Sequence, residues 1–137
     1  MRLLGDVGDR VVNATPHQIV IYNEDAPDRI EPGGVYATAV LFPTNPPARL
    51  DAEHGPADPL LLADGWVSGP AEIPVRTVRY TSRVTGLPAP DGHSWYVVSL
   101  LVALACPDRG DLLVVDREVR NPAGTVIGCR GLARVRP

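Results

Sequence analysis

Apolar and polar residues alternate over short stretches of this chain and rarely keep a helical period. Val11–Thr15 and Gln18–Tyr22 read as short strands on either side of Thr15-Pro16-His17, with Ile19 and Ile21 alternating against Val20 and Tyr22. Arg29-Ile30-Glu31 is a brief strand, Pro32-Gly33-Gly34 a sharp turn, and Val35–Phe42 another strand. Ile73–Thr81 alternates cleanly, placing Val75, Thr77, Arg79 and Thr81 on one face. Leu112–Val115 and Arg117–Arg120 follow, and Asn121-Pro122-Ala123-Gly124 turns the chain into Thr125–Gly128 as a hairpin. Cys129–Val135 continues as the last strand.

The longest apolar run, Trp95–Cys106, changes type along its length. Trp95–Val98 is aromatic and β-branched, which suits a sheet. Leu100–Ala105 is Leu- and Ala-rich, which suits a helix. Ser99 stands at the junction as a helix cap, and Pro107 stops the helix. The expected product is a central strand feeding a short buried helix. Residues 43–59 contain five prolines and no apolar periodicity, so they predict an irregular surface excursion. Leu60–Trp66 predicts a short strand or buried turn. About nine strands and one helix predict a mainly β or α+β fold. It would be a single domain over residues 1–137, with a mostly antiparallel sheet of short strands and one short helix after the central strand.

Composition adjusts this picture in three ways. Fifteen prolines and 13 glycines in 137 residues forbid long helices. All 13 basic residues are Arg, so every cation is a planar fork suited to carboxylate or phosphate. Charge is uneven: residues 1–75 hold 4 Arg against 11 acids, residues 76–137 hold 9 Arg against 5. Such asymmetry fits an anion-binding face, head-to-tail self-association, or halves that pair their charges. No apolar run approaches the roughly 20 residues that span a bilayer, and Met1–Leu4 runs at once into Gly5-Asp6, so a cytoplasmic protein with no membrane partner is expected. A net charge of −3 and seven aromatic residues argue against nucleic acid. Cys106 and Cys129 lack metal or redox spacing and read as buried thiols.

Candidate chemistry is sparse. His17, His54 and His93 show no ligand spacing, so no metal and no cofactor are expected. Ser99 at a strand-to-helix turn invites comparison with a nucleophile elbow, but Val97 and Leu101 stand where that elbow needs glycine. Arg109-Gly110-Asp111 spells an integrin-binding tripeptide by chance. The richer constellation is the Arg set around the Trp95–Cys106 unit, with Arg76, Arg79 and Arg83 before it and Arg109, Arg117, Arg120 and Arg130 after it. If Arg79, Arg109, Arg120 and Arg130 converge on the helix start at Ser99, guanidinium forks and backbone N–H groups form an anion site. Otherwise they pair with Asp108, Asp111, Asp116 and Glu118.

Several stretches resemble a family of small phage, prophage and actinobacterial proteins. They are Val12–Ile21, which is similar to that family's Asn-Leu-Thr-Pro-His opening; Val84–Pro88; Tyr96–Ala103; Arg109–Leu112; and Ile127–Leu132. Ala14 departs from the family's Leu. The resemblance implies a phage-related accessory protein and transfers no catalytic residue. The leading expectation is a non-enzymatic protein that binds a small anionic, nucleotide-like ligand and forms a homo-oligomer. The alternatives are a structural or adaptor subunit with a protein partner, and an enzyme using His17 and Ser99.

Overall fold

The structure is a computed structural model that describes residues 9–31, 36–65 and 69–136. Its elements are β1 (Arg10–Asn13), β2 (Ile19–Tyr22), β3 (Ala37–Leu41), β4 (Arg49–Gly65), β5 (Gly69–Thr85), β6 (Ser94–Val97), α1 (Leu100–Ala105), β7 (Leu112–Arg120) and β8 (Val126–Ala133). The strand-dominated content with one short helix is that of a mainly β or α+β protein. The chain divides into two compact units, residues up to 49 with 84 onward, and residues 50–83. The Pro32-Gly33-Gly34 turn lies outside the described residues.

The first unit is a six-stranded sheet in the order β1-β6-β7-β8-β2-β3. It is mixed rather than mostly antiparallel: β1–β6, β6–β7 and β2–β8 run parallel, and β7–β8 and β2–β3 run antiparallel. The α1 crossover accounts for the β6–β7 pair. Residues 98–111 between β6 and β7 are long enough to return the chain to the same end, which takes about a dozen residues. The two ends of the order meet at Asn13, which bridges Pro43 and whose carbonyl accepts from Thr44 N at 2.9 Å. The sheet therefore curls almost into a barrel. Inside pack Ile19, Trp95, Val97, Leu113 and Cys129, with Ile21, Leu41 and Leu132 against them. A smaller cluster of Tyr22, Ala26 and Val119 lies further along β2 and β7.

β6 is second from one end of the order, not central, yet all four of its residues are buried because it has strands on both edges and apolar groups on both faces. Ser99 caps α1 as its sequence requires, its Oγ accepting from Val102 N at 3.3 Å. The helix itself is only half buried. Val102 and Ala103 face the sheet, while Leu100, Leu101 and Leu104 face solvent. Six residues make fewer than two turns, and one such face cannot hide all of its leucines.

Two glycines are dictated by space. Gly128 lies where β8 meets β2; an added Cβ would come within 2.4 Å of the Val20 carbonyl oxygen and 2.6 Å of the Tyr22 ring. Gly86 has φ +78°, and its Cβ would meet the Pro47 carbonyl oxygen at 2.4 Å.

The second unit corrects the irregular-excursion reading of residues 43–59. From Arg49 the chain is strand, and β4 pairs with β5 as a two-stranded ribbon of 17 residues a side. Contacts between Asp51 and Thr81, Glu53 and Arg79, and Gly55 and Thr77 step in opposite directions, as in an antiparallel hairpin. Arg29-Ile30-Glu31 forms no full strand and contributes one bridge, Arg29 to Arg120.

Candidate functional site

The expected anion cradle is not assembled. Arg79 lies in the ribbon, where its guanidinium bonds Glu53, with Nε to Oε2 at 3.1 Å. Arg109 grips Asp111 with two bonds of 2.8 Å and the Pro88 carbonyl with a third of 2.9 Å. That carboxylate raises Arg109 above its ordinary pKa and turns the Arg-Gly-Asp tripeptide into an internal clamp, with Asp111 buried. Arg120 donates to the Gly124 carbonyl at 2.8 Å and to Glu118 at 3.2 Å. Arg130 lies nearly buried against the Ala26 carbonyl and Asp28, at 2.8 and 2.7 Å. Arg117, a member of the Arg set but not one of its four chosen ligand contacts, holds φ 55° and forks onto Glu24 at 2.6 and 2.8 Å. The fork lowers Glu24 and raises Arg117 from their ordinary values. Among the described residues no three His, Cys, Asp or Glu side chains cluster as metal ligands would. Both cysteines are free thiols, but Cys106 is half-buried rather than buried. Cys129 is buried, and desolvation pushes it above its ordinary value.

The Asn-Ala-Thr-Pro-His stretch is a structural corner. Asn13 is 1% exposed. Its Nδ2 donates to the His17 and Leu41 carbonyls at 2.7 and 3.0 Å. Its Oδ1 accepts from Thr15 N at 3.0 Å and from Thr15 Oγ1 at 2.6 Å. The side chain thereby ties the end of β1 to the loop into β2 and to the end of β3. That loop carries His17 and Gln18 in a defined place.

Beside this corner lies a cavity of about 610 Å³. The pairing directions explain its position. β1 and β6 end, and β2 and β8 begin, toward the same end of the barrel, while β7 continues past the end of β6, since Val97 pairs with Leu113. Thr15, His17 and Gln18 follow β1, Val98–Leu100 follow β6, and Val114, Val115, Val126 and Ile127 form much of the apolar wall. Crevices beyond the carboxyl ends of parallel strands are where open α/β sheets take ligands. Of the five residues proposed from sequence, Ser99 alone lines the cavity, and no Arg does.

The ribbon carries a different kind of surface. Near the barrel end of its strands it is polar, with Arg79 on Glu53 and Arg83 3.9 Å from Asp51. Farther along, Leu60, Leu61, Leu62, Ile73 and Val75 are all exposed, Leu61 by 73%. Leu61–Ala63 and Pro70–Glu72 flank a shallow depression there. Its two strands also differ in charge. β4 holds four acids and one Arg, and β5 holds three Arg and one acid. The sequence signal for this surface is Ile73–Thr81, whose alternation predicts a strand with two distinct faces; residues 73–80 are exposed on both.

No protein-family model, curated protein or solved structure matches this chain, so the reading of its sites rests on its own geometry.

Proposed function

We propose that this chain is a non-enzymatic, cytoplasmic structural subunit of a protein assembly, and that the β4–β5 ribbon is the arm by which copies associate. One observation carries the reading: a ribbon of two 17-residue strands exposes five large apolar side chains toward its far end. A two-stranded hairpin is marginal in water by itself and gains stability when a face is covered. Strands of that length reach roughly 55 Å, and two side by side are about 10 Å wide. One face on each of two copies then supplies on the order of 1,000 Å², the lower bound for a specific interface.

A second copy is the occupant that the charges favour. A two-fold axis between ribbons lays the acidic β4 of one copy along the Arg-rich β5 of the other, an isologous contact. The exposed Arg79–Glu53 and Arg83–Asp51 pairs contribute little within a chain and re-pair across the interface at low cost. Prolines 56, 59, 70 and 74 each remove a backbone donor, which favours face-to-face contact over endless strand addition. The competing reading, a small anionic ligand, lacks free guanidinium groups at Arg79, Arg109, Arg120 and Arg130. A phage-related origin, read from the Val12–Ile21 resemblance, stays part of this proposal.

The test is native mass spectrometry with light scattering at about 30 μM, where complexes with Kd ~1 μM form. A dimer or higher oligomer is expected. Leu61→Asp should dissociate it, Arg79→Glu should weaken it, and Arg79→Glu with Glu53→Arg should restore it. A monomeric parent protein, or an oligomer indifferent to Leu61→Asp, overturns the reading.

A further inference from the structure

The cavity at the mouth of the barrel is independent of the ribbon and has a chemistry of its own. We propose that it binds small, largely apolar molecules whose polar end donates hydrogen bonds, an amine or an alcohol rather than a carboxylate or phosphate. Its volume, about 610 Å³, lies within the ordinary range for small-molecule sites. Its walls are Ile19, Val98, Leu100, Val114, Val115, Val126 and Ile127, and Leu100, Val115 and Val126 remain substantially exposed. Apolar side chains left open in a concavity bury their surface when an apolar body enters.

The polar groups at the rim choose the head group. They are Thr15, His17, Gln18, Ser99 and Glu118. Ser99 Oγ already accepts from Val102 N, and Thr15 Oγ1 already donates to Asn13 Oδ1. The ionised group among them is a carboxylate, Glu118, whose Oε2 is held by Arg120 at 3.2 Å. Its side chain is half-exposed and, among the described residues, its Oε1 makes no bond to the protein, so that oxygen is open to a hydrogen-bond donor. Glu118 and no Arg stands among the lining residues, so an anionic head would meet that carboxylate, already shared with Arg120, and no guanidinium on the wall.

The rim is also positioned in advance. His17 and Gln18 sit on the loop held by Asn13, and Ser99 sits on the capped turn into α1. A ligand therefore orders little backbone on entry, which favours binding.

The experiment uses the full chain and the neutral fluorophore N-phenyl-1-naphthylamine. Its emission should rise and saturate with one site per chain. Dodecylamine and dodecanol, each below its micelle concentration, should displace it at least about ten-fold more effectively than dodecanoate, equivalent to ~1.4 kcal/mol. Val115→Trp places an indole in the cavity at a half-exposed position and should weaken the fluorophore about ten-fold or more. Dodecylamine should displace the fluorophore better than dodecanol, and Glu118→Gln should erase that advantage and leave the alcohol unchanged. Leu61→Asp in the ribbon should leave all of these values alone, which separates this site from the assembly surface. Melting curves check that each variant is folded. Absence of saturable emission, dodecanoate competing as well as dodecylamine, binding unaffected by Val115→Trp, or binding abolished by Leu61→Asp would each overturn the proposal.

Discussion

Replacing Asn13 by Ala should be among the most damaging single changes outside the apolar core. The side chain is 1% exposed and makes four hydrogen bonds, to the His17 carbonyl, the Leu41 carbonyl, Thr15 N and Thr15 Oγ1. A neutral bond contributes about 1 kcal/mol net, and a buried partner left alone costs more. Thr15 and His17 lie near the surface and can regain water, whereas the Leu41 carbonyl loses a partner that holds β3 to β1. The expected cost is therefore ~2–4 kcal/mol, a drop of roughly 10 °C in the melting midpoint for a domain of this size. Urea unfolding measures it directly, with the slope m unchanged if the denatured state is unaffected. Asn13→Asp should be worse at neutral pH, because a carboxylate offers no donor to the two carbonyls that Nδ2 serves. Those carbonyls raise its folded-state pKa. Its extra penalty should vanish below the unfolded value of about 3.9 and grow as pH rises through the folded value. A loss under ~1 kcal/mol for Asn13→Ala, or an Asp variant that gains stability as pH rises, would refute the idea that this corner holds the barrel closed.

The remaining predictions use the same unfolding assay. Val98→Asp places a charge at a 3% exposed position and should cost several kcal/mol, whereas Ser99→Ala removes one capping bond and should cost ~1 kcal/mol; the reverse order would contradict the strand-to-helix junction. Gly128→Ala drives a Cβ onto the Val20 backbone and the Tyr22 ring and should cost ~1–3 kcal/mol or more. Asp91 is held well below its ordinary pKa by the backbone N–H of His93, then by the hydroxyl and N–H of Ser94. Its contribution is present above about pH 4, the unfolded value, and is lost as pH falls further; Asp91→Asn should flatten that acid limb of the stability curve.

Much of the barrel was legible because its signals are local. Trp95–Ala105 changes from β-branched to Leu and Ala at a serine, and the structure turns from strand to helix at that serine. Asn121–Gly124 turns where Asn and Gly sit together, with Gly124 at φ +91°. Strand order was not legible, because parallel neighbours such as β1 and β6 are joined by no local turn. Nor were the Arg partners: Arg117 reaches Glu24 across 93 residues and Arg130 reaches Asp28 across 102. The ribbon hid for another reason. A strand pair with solvent on both faces has no inside, so β4 carries no apolar alternation to read and its prolines imitate a loop.

The place where the ribbon leaves the barrel bears on how such a chain can change. Ala48 and Gly86 lie side by side: a Cβ added at Gly86 would stand 3.5 Å from the Ala48 Cα. The ribbon is thus an insertion whose two ends the first unit already brings together, so its length can vary without moving them. That freedom is quantised. Two residues added to each strand extend the arm by about 7 Å and return every side chain to its own face. One residue added to a single strand sends the rest of that strand's side chains to the opposite face. Variation in this arm should therefore accumulate in matched, even steps, so that reach drifts while the pattern of contacts is kept.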